Sequence, residues 1–169
     1  MEALLEHLIK LMAQHIGGYD RLAQLLLQEQ SALIEHDIER IQKISKAKET
    51  LALKIKLLLP AVSQAIQDVA RALQLPVDPL PTMAELAAAA PEPWAGKLSL
   101  AGLKLARLQQ SVTMQNQANH AYVQEALDMI SGSIAILTGA ALAPKSGYLR
   151  NGQTAEASGH RPVRLSREV

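Results

Sequence analysis

From Leu5 to Leu33 the chain places residues at alternating spacings of four and three: Leu5, Ile9, Met12, Ile16, Tyr19, Ala23, Leu26, Gln30 and Leu33. That period is the seam of a helix lying lengthwise on another helix, and a strand, whose faces alternate every second residue, cannot use it. The phase survives Gly17 and Gly18. Each glycine should cost a helix interior about 1 kcal/mol relative to Ala, yet an unbroken seam predicts one long helix rather than two short ones.

A second seam begins beyond the polar stretch IEHD, where Asp37 is a good N-cap and Glu39 suits the positive end of the helix dipole. It runs through Ile41, Ile44, Lys48, Leu51, Ile55, Leu58, Val62, Ala65, Val69 and Ala72, and keeps its phase across Pro60. A kinked helix fits better than a stop there, because Leu59 would be a poor N-cap. The pattern then fails from 76 to 97, a proline-rich linker that holds the only Trp, Trp94. Thr82 and Glu85 have capping-box spacing and should open a short helix that Pro91 closes, with Trp94 plugging an apolar gap.

A third long helix is expected from about Ser99 to Thr138, stopped by Gly139, and at 1.5 Å per residue it would be about 60 Å long. The fold class is therefore all-α: an elongated antiparallel bundle of three long helices over 1–143, with a short helix in the linker and a flexible tail at 144–169. Only 2% of residues are aromatic and none is Phe, which also favours helices over sheets.

Chemistry finds little support. A di-metal site in a helical bundle needs Glu-x-x-His pairs on facing helices, and none occurs. The histidines at 7, 15, 36, 120 and 160 form no His-x-x-x-His pair, and with no Cys there is no thiolate ligand or thiol nucleophile. Neither a nucleophile elbow nor a phosphate-cradling glycine loop is present, so no catalytic residue, cofactor or metal is assigned. A net charge of +1, without basic clusters interleaved with aromatics, argues against nucleic acid. No apolar run approaches the ~18 residues of a membrane span, and the opening MEALLEHLIKLMAQHIGG is amphipathic rather than signal-like. A cytoplasmic location is expected.

What remains is binding. The third helix carries a stripe through Leu105, Leu108, Val112, Asn116, Asn119, Val123, Leu127, Ile130, Ile134 and Leu137, with amides in its middle. Asn116 or Asn119 in a core position would fix register; alternatively, this face is a groove in which amides bond to a helical guest. Leu4, Leu8, Leu11, Leu22 and Leu25 flank the first seam, and Ala126, Met129 and Ile136 flank the last. Faces that broad exceed a two-helix contact and suggest an interaction surface, with a homodimer or a self-assembling, non-catalytic coiled-coil scaffold as rivals to a guest.

The order of these features resembles the FlgN family of flagellar export chaperones: a long first helix, the hinge IEHD, the second-helix stretch IQKISKAKETL, a variable linker, and a last helix entering QNQANHAYVQEAL. The tail Tyr148-Leu149-Arg150-Asn151-Gly152-Gln153 is similar to the family's Tyr-Gly-x-Asp/Asn-Gly pattern. The resemblance implies a cytoplasmic, non-catalytic chaperone that binds the C-terminal helices of the hook-filament junction proteins FlgK and FlgL and carries them to the flagellar type III export apparatus. By that analogy Val112, Asn116, Asn119, Val123, Leu127, Ile130, Ile134 and Leu137 bind the client, and Tyr148, Asn151 and Gly152 dock on the export gate.

Overall fold

The computed structural model describes residues 1–138, and all of its regular structure is helical. Four helices follow in order: α1 (Glu2–Ile34), α2 (Ile38–Ala72), α3 (Met83–Ala89) and α4 (Trp94–Leu137). Two compact units divide the chain, Met1–Val123 and Gln124 onward. The expected boundary at 143/144 and the expected stop at Gly139 lie outside the described residues.

In the first unit α1 and α2 form an antiparallel hairpin. Leu5 and Leu8 share an apolar cluster with Val69 and Ala70, while Ala32 meets Ile44 in a second cluster near the turn. Both helices are continuous, α1 through Gly17–Gly18 and α2 through Pro60, as their seams predict. The two glycines are not equivalent. A Cβ on Gly18 would come within 2.8 Å of Ile55 Cγ1, whereas one on Gly17 would meet nothing within 4 Å. Gly18 thus lets the two backbones approach, and Gly17 does not.

The turn uses the same residue twice. His36 adopts a left-handed φ of 56°, its N–H donates to Leu33 O, and the N–H of Asp37 donates to Ala32 O, which closes α1 as a Schellman motif. Asp37 Oδ1 then accepts from the Arg40 N–H and caps α2. Gln74, with φ 60°, ends α2 in the same way. The capping box of α3 forms as expected: Glu85 N–H donates to Thr82 Oγ1, and Thr82 N–H donates back to Glu85 Oε2. The Thr82 N–H, and after it the Thr82 hydroxyl, donate to the charged carboxylate of Glu85 and hold it below the usual carboxylate range.

The seam on α2 is closely followed, with Ile44, Ile55, Val62, Ala65 and Val69 buried. On α1 the buried face is broader than its seam. Leu8, Leu11 and Leu25, expected to be surplus apolar surface, are buried in the two clusters. Leu8 and Leu11 are buried because α1 is covered there from two directions, the large cluster taking in Leu86 of α3 and Leu98 of α4 as well as α2, whereas Leu25 is buried with Ala32 and Ile44 in the cluster near the turn. α4 itself opens at Trp94, five residues ahead of Ser99. Trp94 packs against the large cluster, with Lys97 Nζ 4.5 Å above its ring, so the indole and its cation form part of the first turn. Close packing of α3 on α4 rests on Gly102, where a Cβ would fall 2.8 Å from Met83 Cβ.

Candidate partner-binding site

α4 is joined to the hairpin by a polar clasp as well as by leucines. Asn119 is buried, and its Nδ2 donates to Leu26 O (2.9 Å) and Glu29 Oε2 (3.0 Å), both on α1. The same Glu29 carboxylate receives Lys48 Nζ of α2 at 2.5 and 2.6 Å. One buried carboxylate therefore takes donors from both other long helices, which satisfies its charge out of water and admits only one axial position of α4. Of the two amides on the stripe, Asn119 is the interior one. Asn116, Gln117 and His120 are exposed and Gln115 is half-buried.

Between Leu98 and Asn119 the stripe on α4 is half-buried at Leu105, Leu108 and Val112. Val123, the last residue of the first unit, is exposed. In the second unit the helical stretch from Gln124 to Leu137 continues the four-three phase, and its members are open: Leu127 is 51% exposed, Ile130 56%, Ile134 55% and Leu137 86%. Met129 and Ile136 beside them are exposed too.

The polar groups of this stretch are spent locally. Ser133 Oγ donates to Met129 O, Thr138 Oγ1 to Ile134 O, and Gln124 Nε2 to Asp128 Oδ1. At 100° per residue Glu125 and Asp128 fall on the side of the helix away from the seam. The result is an uncharged ridge of Leu and Ile about three turns long, with no catalytic group on it.

Among the described residues no cluster of three His, Asp or Glu could hold a metal, and no helix is long and apolar enough to cross a membrane. A family model described as FlgN protein matches residues 1–156. The chain belongs to the FlgN family. FlgN proteins are flagellar export chaperones, a family that generally works by binding and not by catalysis. No curated protein and no solved structure matches the chain.

Of the eight residues that the FlgN resemblance assigns to client binding, Leu127, Ile130, Ile134 and Leu137 share one open face. Asn119 is committed to the clasp, Val112 is half-buried, and Asn116 is exposed. Tyr148, Asn151 and Gly152 lie outside the described residues. Sequence reasoning missed Glu29 as an interior group, although Lys48 standing on a seam signalled that a buried partner was needed. It also missed His15, which is buried edge-on to Tyr19 with neither ring nitrogen bonded to another described residue. Burial holds the His15 pKa below the ordinary histidine value.

Proposed function

We propose that this FlgN protein escorts the hook-filament junction proteins FlgK and FlgL in the cytoplasm, covering their C-terminal helices until export. The carrying observation is the open Leu127–Ile130–Ile134–Leu137 ridge: four aliphatic residues at heptad spacing, exposed to water, with no charge among them. A guest helix with its own apolar stripe would bury what is still exposed of them, which for half-covered side chains is worth about half of the ~1.5–3 kcal/mol of a full burial. Helix-in-groove recognition of this kind suits a client whose terminal helices would otherwise pair prematurely. In this reading the clasp at Asn119 holds the first part of α4 on the hairpin, and the ridge further along the same helix receives the client. Tyr148, Asn151 and Gly152 form the contact with the export gate.

The test is calorimetric titration of the chain with a synthetic FlgK or FlgL C-terminal peptide. Leu127→Asp or Ile134→Asp should weaken binding at least about ten-fold, which is 1.4 kcal/mol, while the circular dichroism melt stays within a degree or two of the parent because both positions are exposed. Unchanged affinity in both variants would remove client binding from this ridge. If light scattering instead showed a stable oligomer that the same variants dissolve, the ridge would belong to self-association.

A further inference from the structure

A second surface lies on the α1–α2 hairpin and makes no use of the α4 ridge. A shallow groove runs between the two helices, floored by Leu25, Ala47 and Leu51 and flanked by Arg21 of α1 and Lys46 and Lys54 of α2. Among the described residues none of these three cations has a carboxylate within ion-pair distance. Elsewhere on the hairpin such pairs do form: Lys43 with Glu39, Arg40 with Glu35, Arg71 with Asp68 and the interior Lys48 with Glu29. Arg21 spends one N–H on the neutral Gln24, and Thr50, between the lysines, donates its hydroxyl to Lys46 O. The groove thus pairs an apolar floor with a wall of one charge sign.

Its geometry specifies the guest. Lys46 and Lys54 are eight residues apart on one helix, which is about 12 Å along the axis. Gly18 opposite Ile55 and Glu29 opposite Lys48 set the hairpin register, and in that register Arg21 of α1 stands level with Lys54 of α2. Two cations therefore pinch one end of the groove and a third stands two turns away.

We propose that this groove docks an acidic amphipathic helix of another protein. Carboxylates two turns apart on the guest would meet Arg21 with Lys54 at one end and Lys46 at the other, and small aliphatic side chains between them would cover Leu25 and Leu51. A concave slot between two helices suits a helix better than it suits a lipid surface, which calls for a convex apolar edge.

The experiment uses the full chain and three synthetic helical peptides of one apolar pattern, carrying Glu, Gln or Lys at two positions eight residues apart. Fluorescence anisotropy should show the Glu peptide binding at least about ten-fold more tightly than the Gln peptide, with that advantage shrinking as salt rises from about 50 to 200 mM. The Lys peptide should not bind. A Lys46→Gln, Lys54→Gln double variant should lose the advantage at an unchanged circular dichroism spectrum, while Lys56→Gln, on another face of α2, should keep it. Equal binding of the Glu and Gln peptides would overturn the proposal. So would undiminished binding by the double variant, no binding of the Glu peptide up to about 1 mM, or binding only to phosphatidylglycerol vesicles. Because the ridge residues are intact in every protein used, failure here leaves the client reading of α4 unaffected.

Discussion

α1 and α4 carry the same kind of message in sequence, an apolar seam at four-three spacing, and meet opposite fates. α1 buries ten of its 33 residues, among them His15 and Glu29. α4 buries two of its 44, Leu98 and Asn119. The period identifies which face of a helix avoids water, but it does not say what covers that face. α1 is covered from two sides near its start, where its seam widens to take in Leu8 and Leu11, and Leu25 joins the cluster near the turn. α4 is held by one leucine contact, one amide clasp and a half-buried stripe, and the Leu and Ile of its last turns are exposed.

The contrast can be broken most directly by truncating one leucine from each helix. Leu8→Ala, at a fully buried position, should destabilise the protein by about 2–5 kcal/mol in urea unfolding, whereas Leu127→Ala, half exposed, should change stability by less than about 0.5 kcal/mol. Equal costs would mean that the end of α4 is core. A smaller effect is expected at the clasp. Asn119→Ala leaves the Glu29 carboxylate short of one donor in a buried site, at a cost of about 1–3 kcal/mol in the same assay.

The glycines sharpen the α1 side of the comparison with changes of opposite sign. Gly18→Ala must push against Ile55 and should destabilise by about 1–3 kcal/mol, while Gly17→Ala meets open space and should stabilise by about 1 kcal/mol, both read as shifts in the urea midpoint. The smallest effect is on pH dependence. His15 has a folded pKa lowered by burial, so the unfolded chain binds a proton that the folded chain refuses. Stability is then full above the unfolded value of about 6.5 and declines as the pH falls below it. His15→Leu should flatten that limb of a thermal-melt series between about pH 7 and 5.

The hairpin was the most legible part of the molecule. Seams on α1 and α2, continuity through Gly17–Gly18 and Pro60, the Asp37 cap and the Thr82–Glu85 box all depend on local spacing and side-chain chemistry, and all are present. What local spacing cannot carry was missed. The turn at IEHD is legible, but the left-handed backbone of His36 within it, like that of Gln74, is not, since no glycine advertises either and bonds such as Asp37 N–H to Ala32 O and Leu75 N–H to Ala70 O outweigh the strain. α4 opens ahead of the Ser99 that the pattern indicates, because Gly96 interrupts the pattern just after Trp94, whose packing on the main cluster sustains the first turn. Leu8 and Leu11 of α1 and the inward Glu29 depend in part on α4, which begins only at Trp94, far along the chain from α1. At the candidate site, the seam through Leu127 to Leu137 was visible in sequence, but its openness and the interior role of Asn119 required coordinates.

The central claim is that the end of α4 is left uncovered in the free chain and becomes covered by a client helix. Hydrogen–deuterium exchange of the amides from 124 to 137, with and without a FlgK C-terminal peptide at saturating concentration, reads this directly. Rapid exchange in the free chain that slows on binding, with little change along α1 beneath its own core, is the predicted result. A peptide that binds while these amides exchange as before, and protection gathers elsewhere, would contradict the account.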